Sequence, residues 1–356
     1  MNEFENEPDV LCAVYVDLGT TNTRVWLMRG IEVLAQASKQ VGVSDSAREG
    51  TTTSIRTGLK ELIAKVQNQA NHNSKSDAPV CVVAAGMISS PLGLAELAHI
   101  PSPAGMRDLA AATAKFAFPD ITTLPFLLVP GVRSGSMELA GQVDAMRGEE
   151  TLCVGLQLLD LVEPPAVVLT LGSHWKAIQL AADGRIQSSV TSLSGEMIDA
   201  VRTQTILASA VADNWPDEIA KAWLEAGIEE QRRSGLPRAL FCVRLLELQN
   251  EGTASERFAY LLGAFIAADL DALVNRGVLA SGIPIVISGH AAVAEAWAFA
   301  LAKESIKGIV LTAEETESAF LSGLRSILIA CHGLVGFRSE GPELNSPIRK
   351  GGVSAS

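Results

Sequence analysis

Asp17 stands at the carboxyl end of an apolar strand, and a turn of small and hydroxyl residues follows it. Backbone N–H groups and hydroxyls in such a turn can surround a phosphate, and Arg24 is close enough to add positive charge. A carboxylate beside phosphates is repulsive without an intervening cation, so Asp17 is predicted to hold Mg²⁺, directly or through water. Taken alone, an ordinary hairpin turn explains the motif equally well. The other members of this first turn are Gly19, Thr20, Thr21 and Asn22.

A second turn of similar composition begins at Gly172. The stretches VYVDLGTTNTRVWLM and VVLTLGSHWKAIQL share the order strand, glycine, hydroxyl residue, polar turn and strand, which indicates a duplicated unit. Two such turns facing each other across a cleft would hold a triphosphate from both sides, and no GxxxxGK[ST] sequence offers a P-loop instead. Histidine in a turn is more often a structural donor than a catalyst. The second turn comprises Gly172, Ser173, His174 and Lys176.

The segment MRGEET places Arg147 before two adjacent carboxylates, Glu149 and Glu150, at the predicted start of a helix. Acidic residues are common there because they interact favourably with the helix dipole. A carboxylate that accepts the proton of an attacking hydroxyl contributes about 10²–10⁴-fold to phosphoryl transfer. One of the two glutamates is therefore the candidate base, and the sequence leaves open which.

Two further segments follow predicted strands. The loop 84–105 follows a central strand, where open α/β sheets commonly bind ligands, so substrate binding is favoured over a plain surface loop. In PIVISGHAAV, Ser288 and Gly289 form a strand-to-helix turn suited to the flat face of a nucleoside, although a single glycine there is weak evidence.

Hydrophobic periodicity predicts the elements that position these motifs. Strands are expected at CAVYVDL, RVWLM, EVLAQAS, PVCVVAAG and PFLLVPG, and again at AVVLTLG, WKAIQLA, RIQSSV, PIVIS and IVL. Helices are expected at 52–69, at 149–159 and through most of the chain after RIQSSV. The predicted units are an N-terminal domain, 11–160, a C-terminal domain, 161–335, and a flexible polar tail, 336–356.

Composition sets the broad class. A chain of 356 residues, 48% hydrophobic, can bury the cores of two domains. The net charge of −12 disfavours a nucleic-acid surface. Five scattered cysteines suggest free thiols in a reducing compartment. The N-terminal residues lack the pattern of a signal peptide, and no apolar run is expected to span a membrane, so a cytoplasmic location is predicted.

With these blocks in order, the sequence resembles the 2-dehydro-3-deoxygalactonokinase family, a branch of the sugar-kinase/actin/Hsp70-like superfamily. The blocks are VDLGTTNTRVWL, AGMISSPLGLAE, MRGEET, LGSHWK and the late ISG turn. The resemblance covers the chain to about Ala330. MRGEET followed by GSHxK is its most specific part.

The resemblance implies a two-domain α/β fold, ribonuclease H-like, with duplicated mixed β-sheets flanked by helices and an interdomain cleft. It implies ATP with Mg²⁺ and phosphorylation of 2-dehydro-3-deoxygalactonate at the C6 hydroxyl. Both turns would bind phosphates and the 288–289 turn adenosine. A homodimer is expected as the commonest oligomer. The candidate substrate-binding residues are Gly86, Met87, Ser89, Ser90, Glu96 and Arg147.

Several positions depart from the family pattern. Leu18 replaces a tryptophan, Leu171 a proline, Leu94 and His99 an aromatic pair, and His290 a second glycine. The substrate loop departs most, so kinase chemistry is more strongly indicated than the identity of the sugar. Alternatives are a kinase of the same fold for another sugar acid or a hexose, or a non-catalytic sugar or nucleotide sensor. The sensor reading is disfavoured by the retained carboxylates.

Overall fold

The computed structural model describes residues 11–69, 78–136 and 140–333. The predicted tail, 336–356, lies outside the described residues. The first half of the chain forms a six-stranded sheet in the order β3-β2-β1-β4-β7-β6. Its strands are β1 (Cys12–Leu18), β2 (Thr23–Arg29), β3 (Glu32–Lys39), β4 (Val82–Gly86), β6 (Ala114–Phe116) and β7 (Phe126–Leu128).

The second half repeats this arrangement in a five-stranded sheet, in the order β12-β11-β10-β13-β14. In each sheet a hairpin of two strands is followed by a third antiparallel strand, and a later strand joins the first in parallel. The predicted duplication of mixed sheets is therefore confirmed. The strands are β10 (Ala166–Leu171), β11 (Trp175–Leu180), β12 (Ile186–Ser192), β13 (Ile285–Gly289) and β14 (Gly308–Val310).

A third, three-stranded sheet of short strands lies between the two halves and was not predicted. It consists of β5 (Ile100–Pro101), β8 (Val132–Ser134) and β9 (Asp144–Met146). Asp144 accepts hydrogen bonds from the hydroxyls of Ser189 and Thr191 on β12, which fastens this sheet to the second half.

The helices cover the outer faces of the sheets and the space between them. Those of the first half are α1 (Val43–Glu49), α2 (Thr53–Gln69), α3 (Met106–Ala112) and α4 (Glu149–Leu158). Those of the second half are α5 (Ser194–Gln204), α6 (Lys221–Ser234), α7 (Leu236–Leu248), α8 (Ala254–Asn275), α9 (Ala291–Lys303) and α10 (Ala313–Gly333). The predicted helices did not include α1 and α3, because helices of seven residues are too short to give clear apolar periodicity.

Glycine permits close crossing of α4 and α10. A Cβ on Gly155 would lie 1.6 Å from Ala319 O, and one on Gly323 would lie 2.1 Å from Thr151 O. Real Cβ atoms cannot approach so closely, so the two backbones touch only because both positions lack side chains. This crossing packs α10, the last helix among the described residues, against the helix that begins with the candidate base.

Two observations bear on the predicted class. All five cysteines are free, with Cys12, Cys81 and Cys153 buried, as predicted. Helix α8 is long and apolar enough to cross a membrane, contrary to the expectation that no run reaches that length. It is a core helix of this protein, since 67% of its apolar window is buried against neighbouring elements.

Candidate active site

The first turn closes between β1 and β2, where Gly19 N donates to Asn22 O at 2.8 Å. At the start of α1, Val43 N donates to Gly19 O and Ser44 N donates to Thr20 O. These hydrogen bonds fix the turn against α1. The side chains of Thr21 and Asn22 are exposed. The polar groups predicted to contact phosphate are therefore accessible at the end of a buried strand.

Asp17 and Arg24 face each other across this hairpin. Arg24 Nη2 donates to Asp17 Oδ2 at 2.6 Å and Nε at 3.2 Å. The second oxygen, Oδ1, points toward the end of β4, where a Cβ on Gly86 would come within 3.2 Å of it. Because Gly86 has no side chain, the space beside Asp17 Oδ1 stays clear. Its φ of +88° also favours glycine at this position.

The start of α4 adjoins the same point. A Cβ on Gly148 would lie 3.3 Å from Gly86 Cα, so the backbones of these residues are in contact. The structure thereby brings Asp17, Gly86 and the two glutamates together, although 62 or more residues separate Gly86 from the glutamates in the sequence. Each glutamate then takes a different orientation.

Glu150 is completely buried, and both its carboxylate oxygens accept from Gly148 N, at 2.7 and 2.9 Å. Burial raises the pKa of Glu150 to about 8, and the charge of Glu149 adds to the rise. Glu149 keeps 25% of its side chain exposed. Its Oε2 accepts from Arg147 N at 3.1 Å, and its Oε1 lies 3.9 Å from Lys176 Nζ.

Lys176 lies on β11 rather than in the second turn, and its side chain is buried. Its Nζ donates to Ala145 O on β9 at 2.7 Å. The amine therefore bridges the two halves of the molecule and reaches Glu149. Its predicted role with a nucleotide phosphate stays a prediction.

The other residues of the second turn lie where β10 ends. Gly172 and Ser173 are exposed, and His174 Nε2 lies 3.3 Å from Glu196 Oε2. Ser173 O accepts from Glu196 N at 2.7 Å, which fixes the turn against the start of α5. The predicted adenosine turn is adjacent, because Gly289 pairs with Leu171 at the end of β13. Ser288 is buried and contacts Thr316 Oγ1 at 3.4 Å.

Arg147 joins the predicted substrate loop to the start of α4. Its Nη1 donates to Ser89 Oγ at 2.9 Å and its Nη2 to Leu97 O at 2.7 Å. Nη2 also lies 3.4 Å from His99 Nδ1. Burial of His99 lowers its pKa to about 4, and the charges of Arg147, Arg133 and Lys176 lower it further.

The remaining predicted loop residues differ in exposure. Glu96 is exposed near Arg147, while the partly buried Met87 packs against the apolar core of the first sheet. Ser90 is buried, and its hydroxyl has no hydrogen-bond partner among the described residues. Arg133, whose charge acts on His99, was not among the predicted site residues, because a single arginine in a strand of three residues gives no sequence motif.

Comparison with known proteins gives consistent relatives. The profile of the 2-keto-3-deoxy-galactonokinase family matches residues 17–327. A Rhizobium meliloti (strain 1021) protein, designated a probable 2-dehydro-3-deoxygalactonokinase, is 26% identical over 278 residues, covering 77% of this chain and 84% of the relative. The Escherichia coli (strain K12) 2-dehydro-3-deoxygalactonokinase is 23% identical over 316 residues, covering 88% and 96%.

A solved structure shows the same fold. It is the crystal structure of a Sinorhizobium meliloti protein described as a candidate 2-dehydro-3-deoxygalactonokinase. It superposes with a TM-score of 0.72 at 24% identity, and the match covers 94% of this chain and 100% of that one.

Proposed function

The chain belongs to the 2-keto-3-deoxy-galactonokinase family, and we propose that it transfers the γ-phosphoryl group of ATP to the C6 hydroxyl of 2-dehydro-3-deoxy-D-galactonate, in galactonate catabolism. The predicted family and the predicted kinase class are confirmed. The observation that carries the reaction is the contact of Gly86 with both Asp17 and Gly148, which sets a carboxylate beside the helix that begins with Glu149. A cytoplasmic location is part of the proposal, supported by the free thiols.

Asp17 is the residue we propose for Mg²⁺. Among the described residues, no group of three or more acidic, histidine or cysteine side chains forms a metal site. Mg²⁺ in kinases needs only one or two carboxylates, because substrate phosphates and water complete its shell. Asp17 Oδ1, beside the space that Gly86 leaves, fits this donor set. The ion, when bound, would neutralise charge on the transferring phosphates.

We propose Glu149 as the base that orients the sugar hydroxyl and accepts its proton. Its partial exposure allows contact with a substrate, and its Oε1 lies 3.9 Å from Lys176 Nζ. Glu150 has no exposed surface and holds its own backbone turn at Gly148. We assign Glu150 to positioning the start of α4.

The two turns are proposed to bind the phosphates from opposite sides. N–H and hydroxyl groups at the exposed Thr21 and Ser173 and at the half-buried Thr20 would contact them, and the turn at Gly289 would receive the adenosine. Closing the halves would exclude water and align the hydroxyl with the γ-phosphorus. The domain boundary near residue 160 and a homodimer remain predictions.

The test is ADP release with Mg²⁺–ATP and 2-dehydro-3-deoxygalactonate, beside other keto-deoxy acids and hexoses, with the phosphorylated carbon identified by ³¹P–¹H NMR. We expect turnover of that sugar acid at C6, and a fall of about 10²–10⁴-fold for Glu149→Gln. Turnover only of another sugar would contradict the substrate. ATP or sugar binding without turnover would favour the sensor alternative. A greater loss for Glu150→Gln than for Glu149→Gln would contradict the choice of base.

A further inference from the structure

The small sheet between the halves has two unlike faces. Because Val132 pairs with Met146 and Ser134 with Asp144, these side chains share one face, which is buried or bonded to β12. Arg133 pairs with Ala145, and both are exposed on the other face. Alternation along the strand puts Gly131 on that same face.

Gly131 makes room for two side chains. A Cβ there would lie 2.7 Å from both His99 Cδ2 and Arg147 Cγ, so the imidazole and the arginine stem pack over the bare backbone. The backbone of β5 is fixed at the same place, since Ile100 N donates to Gly131 O at 2.9 Å. We call the stacked His99, Arg147 and Gly131 the His99 layer. Arg133 lies beside it, two residues after Gly131.

In the His99 layer, Arg147 donates a hydrogen bond and His99 accepts it. A guanidinium only donates, so His99 Nδ1, 3.4 Å from Arg147 Nη2, serves as an acceptor. The neutral ring then carries its proton on Nε2, as a donor. The low pKa of His99 keeps the ring neutral at physiological pH. Among the described residues, no acidic side chain forms an ion pair with Arg133.

The other cations near the active site already have partners. Arg24 is paired with Asp17, Lys176 donates to Ala145 O, and Arg147 donates to Ser89 and Leu97. Within the part of the chain that the structure describes, Arg133 and His99 therefore offer a substrate carboxylate an exposed positive charge and a neutral donor without a protein partner. The small side chain of Ala145, opposite Arg133, leaves space over this face.

We propose that Arg133 and His99 form the subsite for the carboxylate of the sugar-acid substrate, at the end of the substrate opposite the hydroxyl that Glu149 orients. Arg147 is a positioning residue that holds the imidazole. This inference rests on the proposed function, because a neutral substrate would have no carboxylate to bind. It also explains how a protein of net charge −12 attracts an anion, by local cations on one sheet face.

The test compares the sugar acid with its C1 amide on wild-type enzyme and Arg133→Gln. We expect Arg133→Gln to raise KM for the acid by about tenfold to a hundredfold, because a hydrogen-bonded charge contributes about 1.5–3 kcal/mol. KM for ATP should stay the same. The amide should be poor on wild-type enzyme, and the substitution should change its KM little. His99→Ala should raise KM for the acid less, by about threefold to tenfold, as expected for a neutral donor.

Arg238→Gln, at an exposed arginine on α7, is the matched control and should leave all constants unchanged. Arg133→Lys keeps the charge and tests the subsite if the glutamine variant folds poorly; its KM should lie between the other two. An unchanged KM for the acid in both Arg133 variants, or equal effects on acid and amide, would overturn the subsite. If wild-type enzyme turned over no sugar acid, the proposed function would fail. The subsite would then be tested by calorimetric binding of the acid. Weaker binding to Arg133→Gln than to wild-type enzyme would support the subsite, and equal binding would overturn it.

Discussion

The two central hairpins share a backbone frame but carry different charges. In the first, Asp17 pairs with Arg24 across the hairpin, and Leu18 pairs with Gly86 on the parallel strand. At the matching positions of the second hairpin, Thr170 pairs with Lys176, and Leu171 with Gly289. Each glycine has a positive φ and closely approaches the leucine carbonyl.

This difference shows that the two copies of a duplicated hairpin can carry different polar groups at matching positions. The first copy has a carboxylate, Asp17, which we propose for Mg²⁺, while the second has a hydroxyl, Thr170, at the matching strand position. The cation of the second copy, Lys176, lies on β11. Its Nζ lies 3.9 Å from Glu149 Oε1 in the first half. A metal-supported phosphate site is thus expected on one side only, with neutral donors on the other.

The largest effect should separate Asp17 from its counterpart. Asp17→Asn should lower kcat at least about 10³-fold, because a metal ligand contributes several kcal/mol of charge stabilisation. Thr170→Val, at the matching position, should change kcat less than about fivefold. Steady-state ADP release at saturating ATP, together with the Mg²⁺ dependence of the rate, measures both. Similar losses in the two variants would show that the copies do not differ in this way.

The next effect concerns the buried carboxyl near the first turn. Because the pKa of Glu150 is raised from 4.5 to about 8, the folded protein keeps a proton that the unfolded chain releases. The contribution of Glu150 to the free energy of unfolding should therefore be fully present below pH 4.5 and decrease by up to about 1.4 kcal/mol per pH unit as pH rises from 4.5 to 8.

Glu150→Gln should remove this contribution and make the protein more stable at pH 8 by a few kcal/mol. Urea unfolding from pH 5 to pH 8, for wild-type protein and the variant, measures the slope. Parallel pH profiles would mean that Glu150 is ionised in the folded state.

Lys176 and Arg24 occupy matching positions yet should affect different kinetic constants. Lys176→Met should lower kcat about tenfold to a hundredfold, since it removes a charge-assisted contact near Glu149 and leaves Ala145 O without its donor. Arg24→Met should act mainly on KM for ATP, because Arg24 lies beside the exposed first turn. Kinetics at varied ATP distinguish the two, and the reverse pattern would contradict the assignment.

The smallest effect should be shared by both copies. Gly86→Ala and Gly289→Ala should each cost about 1–3 kcal/mol of folding free energy, since each places a Cβ within 2.7 Å of a carbonyl oxygen at positive φ. Gly172→Ala is the control, because its Cβ would meet only His174 O, at 3.9 Å. Thermal unfolding measures all three. A loss at Gly172 equal to the others would rule out backbone crowding as the cause.

Much of this architecture could be predicted from local sequence. The alternating and buried runs around VDLG and LTLG predicted both hairpins, and the repeat of glycine followed by a hydroxyl residue predicted their equivalence. The sequence also predicted that Glu149 and Glu150 begin a helix. Such features depend on residues close together in the chain, so periodicity and turn chemistry suffice to locate them.

The tertiary structure alone decided which distant residues meet. The contact of Gly148 with Gly86 determines which strand end the glutamates approach. The packing of α4 determines that Glu150 is buried and Glu149 partly exposed. The His99 layer, with Arg133 beside it, depends on the pairing of strands of two or three residues, too short for a periodic signal. Side-chain orientation and long-range pairing arise from packing across the whole molecule, and this is why the sequence by itself left them open.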